Sequence, residues 1–248
     1  MNVFIIIPAY NEEGNIKELL ESVRKMKTPG TRKQVILVDD GSVDKTLEIA
    51  ESYKNKLKLH ILIHKKNLGI PITFYDGLKK ASELSSPSDV IFIIEGDNTS
   101  DLKILPEMLK KIKSGKDIVV ASRYLLGGGY KRFPFHRVLG SKIINYTLKL
   151  FFYHKNITDY TIFYRAYSAK CVKEAFKKYK SDLITVKSFA ANLELLIKVG
   201  EFSNANDEVP FVYDYGLKKG KSKIKITKTL WAYKSLIIKR IFGKIILK

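Results

Sequence analysis

Cysteine is all but absent from this 248-residue chain. Cys171 stands alone, which excludes a disulfide framework and a thiolate zinc site and suits a reducing compartment. Long apolar runs are missing too, since no charge-free stretch reaches the roughly 18–20 residues that a membrane span needs. The first apolar segment, Val3–Ile7, is far shorter than a signal-peptide core, so neither secretion by that route nor a spanning helix is expected. The four histidines (His60, His64, His136 and His154) show no metal-ligand spacing; His60 and His64 flank a strand and read as structural or exposed. No G-x-G-x-x-G, P-loop or G-x-S-x-G occurs, which removes the usual dinucleotide, NTPase and α/β-hydrolase signatures. Acidic residues are scarce: 25 Asp+Glu face 45 Lys+Arg, a net charge of +20. None follows Asp214, so the last 34 residues carry +11 and the preceding 214 carry +9. Such a basic end meets phosphates, of lipid or of nucleic acid.

What is present is enough for a folded core. The chain is 45% hydrophobic, with 13 Phe and 14 Tyr, which excludes a disordered chain. Its first half alternates strand and helix. Val3–Ile7, Gln34–Val38, Leu57–Ile63, Val90–Ile94 and Asp117–Ala121 read as strands, and the apolar ones among them suit a buried parallel sheet. Between them Asn15–Met26, Lys45–Tyr53, Ile72–Leu84 and Leu102–Ile112 read as helices, the last behind Asp101 as N-cap. The second half is less regular. A loop at Gly127–Gly129 precedes a helix over Phe135–Phe152, a strand at Ile162–Tyr167, helices at Lys170–Tyr179 and Val186–Val199, and a strand at Glu208–Tyr213. The expected class is α/β, a mostly parallel open sheet flanked by helices. The expected organisation is one domain over 1–226 with a basic helical extension over 227–248.

In open parallel sheets ligands bind beyond the carboxyl ends of the strands. Here each such end runs into polar residues: Pro8-Ala9-Tyr10-Asn11-Glu12-Glu13, Asp39-Asp40-Gly41-Ser42, Glu95-Gly96-Asp97-Asn98 and Ser122-Arg123-Tyr124. Any one of these could be a helix cap or a turn. Carboxylates two apart on an extended segment project to one side, where a single hard cation can meet both. Acids, an aromatic ring and an arginine on one rim point to a phosphorylated, metal-assisted ligand.

The ordered set of PAYNEE, VDDGSVDKT, EGDNTSD and SRY resembles glycosyltransferase family 2 with its GT-A fold, and within it the polyprenyl-phosphate (dolichol-phosphate) mannose synthase branch. Phe133-Pro134-Phe135-His136-Arg137, Asp159 to Arg165, Glu208-Val209-Pro210-Phe211 and Gly220-Lys221-Ser222-Lys223 extend the likeness to about Lys225. The resemblance implies that Pro8, Tyr10 and Glu12 line the nucleotide pocket, with Val38 and Asp40 at base or ribose. It puts the family's D-x-D-type acids on Glu95-Gly96-Asp97, which with Thr99 would hold Mg²⁺ or Mn²⁺ as a Lewis acid against the donor diphosphate. It makes Arg123 and Arg137 phosphate clamps, suited by bidentate guanidinium geometry, and Lys223 a cation that closes over the donor. The arginine expected before Gly220 is Leu217 here, and Lys218 or Lys219 takes its place.

The implied reaction is inverting transfer of a hexose from GDP-mannose or UDP-glucose to a polyprenyl or dolichyl phosphate at the cytoplasmic membrane face. A sugar-hydroxyl acceptor is the rival. It needs a general base, for which Glu194 is the only later helix acid near this region. A nucleic-acid binder is a further alternative, but it leaves the rim acids unexplained, and no nucleic-acid partner is expected. Leu230, Tyr233, Ile237, Ile241 and Ile245, widened by Ile238 and Phe242, form an apolar stripe beside Lys234, Lys239, Arg240 and Lys244. That helix either lies on an anionic membrane surface with Trp231 at headgroup level, or packs on the domain or a partner.

Overall fold

The strand β1 (Asn2–Ala9) is buried from Val3 onward, so its sequence shows no alternation and it sits inside a sheet covered on both faces. The computed structural model describes residues 1–219 and 224–243. After β1 come α1 (Ile16–Lys25), β2 (Arg32–Asp39), α2 (Thr46–Glu51), β3 (Leu59–Ile63), α3 (Ile70–Leu84) and β4 (Val90–Ile93). The chain continues through α4 (Leu105–Lys113), β5 (Ile118–Ser122), β6 (Gly129–Lys131), α5 (Phe135–Phe151), β7 (Arg165–Ser168) and α6 (Ala169–Tyr179). It ends in α7 (Ala191–Gly200), β8 (Asn206–Pro210), β9 (Val212–Asp214) and α8 (Ile226–Ile241).

Seven strands form one sheet in the order β3-β2-β1-β4-β7-β5-β8. Only β7 is antiparallel to its neighbours, β4 and β5; the other pairings are parallel. The carboxyl ends of β1, β2, β4 and β5 therefore share one edge. Helices bury one stripe each against the sheet: Ile16, Leu19, Leu20 and Val23 on α1, and Leu105, Met108, Leu109 and Ile112 on α4. Asp101 caps the turn before α4 by accepting from the Lys103 amide, as its position suggested.

The second half departs from expectation where side chains capture backbone amides. Strand β7 starts at Arg165 rather than Ile162, because the Asp159 carboxylate takes the amides of Thr161 and Ile162, at 3.2 Å each, into a turn. Helix α7 starts at Ala191 rather than Val186, because Glu194 accepts from the amides of Thr185 and Val186 at 2.7 and 2.8 Å. The single strand expected over Glu208–Tyr213 is split at Phe211, whose amide completes the ladder to the Ser122 carbonyl at 2.8 Å while its carbonyl accepts from the Gly129 amide at 3.0 Å and so joins the second, smaller sheet. The glycine loop also contributes a strand of its own, β6, which pairs in parallel with β9 above the sheet edge.

Helix α5 buries only Asn145 and Leu148. Helix α8 packs against it and sends Tyr233 and Leu236 into the core. Among the described residues no helix is long and apolar enough to cross a membrane.

Candidate functional site

The ends of β1 and β2 are laced together by their own polar side chains. Ser42 Oγ accepts from the Asn11 amide at 3.0 Å, Asn11 Oδ1 from the Val43 amide at 2.9 Å, and Thr46 Oγ1 from the Glu12 amide at 2.7 Å. Asp39 accepts from the Ser42 hydroxyl and amide. Asp40 is also spent on structure, accepting from the amides of Leu68 and Gly69 at 2.8 Å each and facing His64 Nδ1 at 2.7 Å. Pro8 is buried and Tyr10 half-buried at this rim. Val38, the residue before the two aspartates, has no exposed surface and packs beside Gly77 of α3. Glu12, 8% exposed, accepts from Asn15 Nδ2 at 2.6 Å, and that same nitrogen donates to the Lys219 carbonyl at 3.1 Å. The rim of β1 thus ties down the start of the basic segment.

Next to it, β4 delivers Glu95, Gly96 and Asp97. Gly96 lies so close to β1 that an added Cβ would come within 2.3 Å of the Pro8 carbonyl oxygen. Its role here is close approach of two backbones. Thr99 Oγ1 sits 2.9 Å from Glu95 Oε2 and 2.6 Å from Asp97 Oδ1, so the three residues expected to bind metal do converge. Burial, reinforced by the charge of Asp97, pushes the Glu95 carboxyl up to about 7. The second oxygen of Asp97 accepts from Lys218 Nζ at 2.5 Å. Burial opposes the Lys218 charge, yet Asp97 and Glu95 hold its pKa above the ordinary lysine value. Tyr213 on β9 lies against the same acids; burial and then their charges raise its hydroxyl pKa. The donor set, two carboxylates and a hydroxyl, is all hard oxygen, and it already accommodates a cationic ammonium. It suits Mg²⁺ or Mn²⁺ with further oxygens from a ligand. Among the described residues no group of three His, Cys, Asp or Glu side chains is placed to hold a metal ion, so a cation here would depend on the Thr99 hydroxyl and on oxygens of a ligand as well.

Arg123, at the end of β5, is held rather than free. Its Nε and Nη2 each lie 2.7 Å from Asp159, and Nη2 also reaches Thr161 Oγ1 at 2.7 Å. Burial works against the Asp159 charge, but the Arg123 guanidinium and its hydrogen bonds keep that carboxyl below its ordinary value. Glu208 props the loop from behind, accepting from the amides of Thr158 and Asp159 at 2.8 and 2.9 Å. The guanidinium lies over the rings of Tyr130 and Tyr124, 5.2 and 5.6 Å from their centroids. Beside it opens a cleft of about 430 Å³ lined by Arg123, Tyr130, Arg132, Phe133, Val138 and Lys142. Arg137, half-buried on the first turn of α5, makes no side-chain hydrogen bond or ion pair to another described residue.

The place of Glu194 differs from the sequence expectation, and one expected residue lies elsewhere. Glu194 is 2% exposed and bonded to Thr185, Val186 and Lys198, so its lone pairs serve the α7 entry and not a proton transfer. Arg165, at the end of the Asp159 segment, is a buried tie to the carbonyls of Asn192 and Tyr160 at 2.5 and 2.8 Å. Lys223 lies outside the described residues. Sequence reasoning missed Tyr130, Tyr213 and Asn145, whose amide donates to Thr161 Oγ1 at 2.9 Å and Tyr124 OH at 3.0 Å beside Arg123; no local motif marks them. It also did not link Asp159 to Arg123, although both stood in its motifs.

The chain matches glycosyl transferase family 2 over residues 4–176 and belongs to that family. It is similar to the dolichol-phosphate mannosyltransferase of Pyrococcus furiosus, 33% identical over 142 residues, which are 57% of this chain and 39% of that protein. The chain therefore spans well under half of that relative's length. The polyprenol monophosphomannose synthase of Mycolicibacterium smegmatis is 25% identical over 211 residues, covering 84% of this chain and 76% of that one. Among solved structures, glucosyl-3-phosphoglycerate synthase from Mycobacterium tuberculosis, in complex with Mn²⁺, UDP-glucose and phosphoglyceric acid, superposes with a TM-score of 0.65 at 14% identity. That match covers 98% of this chain and 79% of the other, and it establishes the shared GT-A fold.

Proposed function

We propose that this family 2 protein is an inverting, divalent-metal-dependent glycosyltransferase that moves a hexose from a nucleotide sugar to a polyprenyl phosphate at the cytoplasmic membrane face. The observation that carries the reading is one juxtaposition. The oxygen cluster of Glu95, Asp97 and Thr99 neighbours a cationic, aromatic cleft that opens onto α5: Tyr213, beside the acids, packs edge-on against Phe133 of the cleft wall at 5.7 Å, and the charge of Arg123 in the same wall reaches Glu95. A diphosphate on the first and a lipid phosphate in the second would set donor and acceptor side by side. The names of the archaeal and mycobacterial relatives favour mannose and a polyprenyl acceptor, with GDP-mannose the first donor to try and UDP-glucose the second.

A bound Mg²⁺ or Mn²⁺ would neutralise charge on the departing nucleotide. Glu95, Asp97 and Thr99 would hold it, with Pro8, Tyr10 and Glu12 along the nucleotide side. Arg123, pre-aimed by Asp159, and Arg137 would offset acceptor phosphate charge, and the rings of Tyr130 and Phe133 would flank it. A phosphate oxygen is already anionic near neutral pH, so displacement needs no general base. The commitment of Glu194 to the amides of Thr185 and Val186 speaks against the sugar-hydroxyl rival, which would need it as a base.

Membrane contact rests on two helices rather than one. Helix α5 exposes Phe135, Leu139, Ile143, Tyr146 and Leu150, and α8 exposes Leu230, Trp231, Ile238 and Ile241. The decisive experiment follows label from GDP-mannose into polyprenyl phosphate. Asp97→Asn should abolish transfer while circular dichroism stays unchanged; full activity in that variant would remove the assignment.

A further inference from the structure

We infer that Lys218 is a tethered competitor for the divalent cation: its ammonium occupies Asp97 in the free protein and has to leave before a metal ion can bind. The inference rests on the metal assignment above. Asp97 has two oxygens, and both are taken. Oδ1 accepts from the Thr99 hydroxyl at 2.6 Å and faces the Thr99 amide at 3.3 Å, while Oδ2 accepts from Lys218 Nζ at 2.5 Å. The two side chains are 14% and 9% exposed, so water screens the pair little.

The lysine is aimed, not merely nearby. Upstream, Asp214 accepts from the Gly216 amide at 3.0 Å and pairs with Arg132 at 2.6 and 2.8 Å, which anchors the turn before it. Downstream, Asn15 holds Lys219 through both backbone groups, at 3.1 Å to its carbonyl and 3.3 Å to its amide. A short segment pinned at both ends presents Lys218 to Asp97 Oδ2, the carboxylate oxygen that Thr99 does not engage, so the ammonium sits against the same carboxylate a cation would need. Charge bookkeeping gives the consequence. Lys218 halves the charge of the two carboxylates, so a dication arriving alone meets a weakened attraction and a repelling neighbour. When the anionic diphosphate arrives with the metal, the displaced ammonium has a new partner. Lys218 therefore makes the site favour the metal–nucleotide pair over the bare ion.

The test is Mn²⁺ alone, titrated calorimetrically into the full chain. Lys218→Met should bind Mn²⁺ at least about tenfold more tightly than the parent, since removal of a like charge at contact distance is worth that much or more. Lys218→Arg, which keeps the charge, should stay within about threefold of the parent. Lys219→Met removes the same charge one residue away, from a side chain 63% exposed, and should change affinity by less than about twofold. If Lys218→Met aggregates, Lys218→Gln replaces it, and the comparison with Lys218→Arg stands. Equal Mn²⁺ affinity in parent and Lys218→Met, lost on Asp97→Asn, would overturn the competition and leave the metal site standing. Absence of Mn²⁺ binding from every variant would sink the metal assignment and this inference with it.

Discussion

At the residue scale, the candidate site depends on side chains that shape it as much as on those that would touch ligand. Gly96 is one: a methyl group 2.3 Å from the Pro8 carbonyl has no room, so Gly96→Ala should force the ends of β1 and β4 apart. We expect a loss of about 1–3 kcal/mol in urea unfolding, the usual range for overpacking, together with loss of Mn²⁺ binding. The two arginines separate in the same assay. Arg123→Ala strands the buried Asp159 and should cost about 3–5 kcal/mol of stability as well as activity. Arg137→Ala breaks no ion pair to a described residue, so it should cut transfer more than about tenfold at unchanged melting temperature, in contrast to the exposed Arg32→Ala. His154 gives a pH signature. Burial, and then the charges of Arg165 and Arg240, push it from 6.5 down to about 4. The unfolded chain takes up a proton below about pH 6.5 that the folded chain refuses until about pH 4, so stability falls as the pH drops through that window. His154→Phe should lose less stability than the parent between pH 7 and pH 5, by about 1.4 kcal/mol per unit at most.

At the element scale, α5 and α8 carry the question of where the acceptor comes from. The exposed residues of α5 recur three and four apart, from Phe135 through Leu139, Ile143, Tyr146 to Leu150, and so form one outward stripe. The inward side of α8 is not spare surface, because Tyr233 and Leu236 belong to the core. Deleting the helix would expose them and confound any membrane assay. Point changes avoid this. Ile143→Asp with Leu150→Asp on α5, or Trp231→Ala with Ile241→Asp on α8, should abolish sedimentation with vesicles of phosphatidylcholine and phosphatidylglycerol without lowering the melting temperature. Retained sedimentation in both double variants would remove this face from the membrane reading.

At the scale of the whole molecule, charge placement only makes sense in three dimensions. Residues 118–158 contain no acid, nor do residues 215–248, and the fold brings helices from these two segments together as α5 and α8. Vesicle binding should therefore need anionic lipid and fall steeply between 0.1 and 0.5 M salt, over which the screening length drops below about 10 Å. Equal binding to neutral vesicles at both salt concentrations would mean that the apolar stripe acts alone.

The α/β class, the first five strands and four helices, and the rim residues at the strand ends were legible in the amino-acid sequence. Burial on both sheet faces writes itself as apolar runs, and the family's motifs are contiguous in the chain. The reversed strand β7, the split at Phe211 and the late start of α7 were not. The direction of β7 follows from its pairing between β4 and β5, the split from Phe211 serving two different strands, and the late start of α7 from Glu194 capturing two amides; local periodicity carries no trace of any of these. Convergence of Glu95, Asp97 and Thr99 was readable because they lie within five residues. The arrival of Lys218 at Asp97, the clamp of Asp159 on Arg123 and the shared face of α5 and α8 join residues far apart in the chain. Only tertiary packing sets those distances, because a charge 121 positions away has no address in sequence until the sheet brings it home.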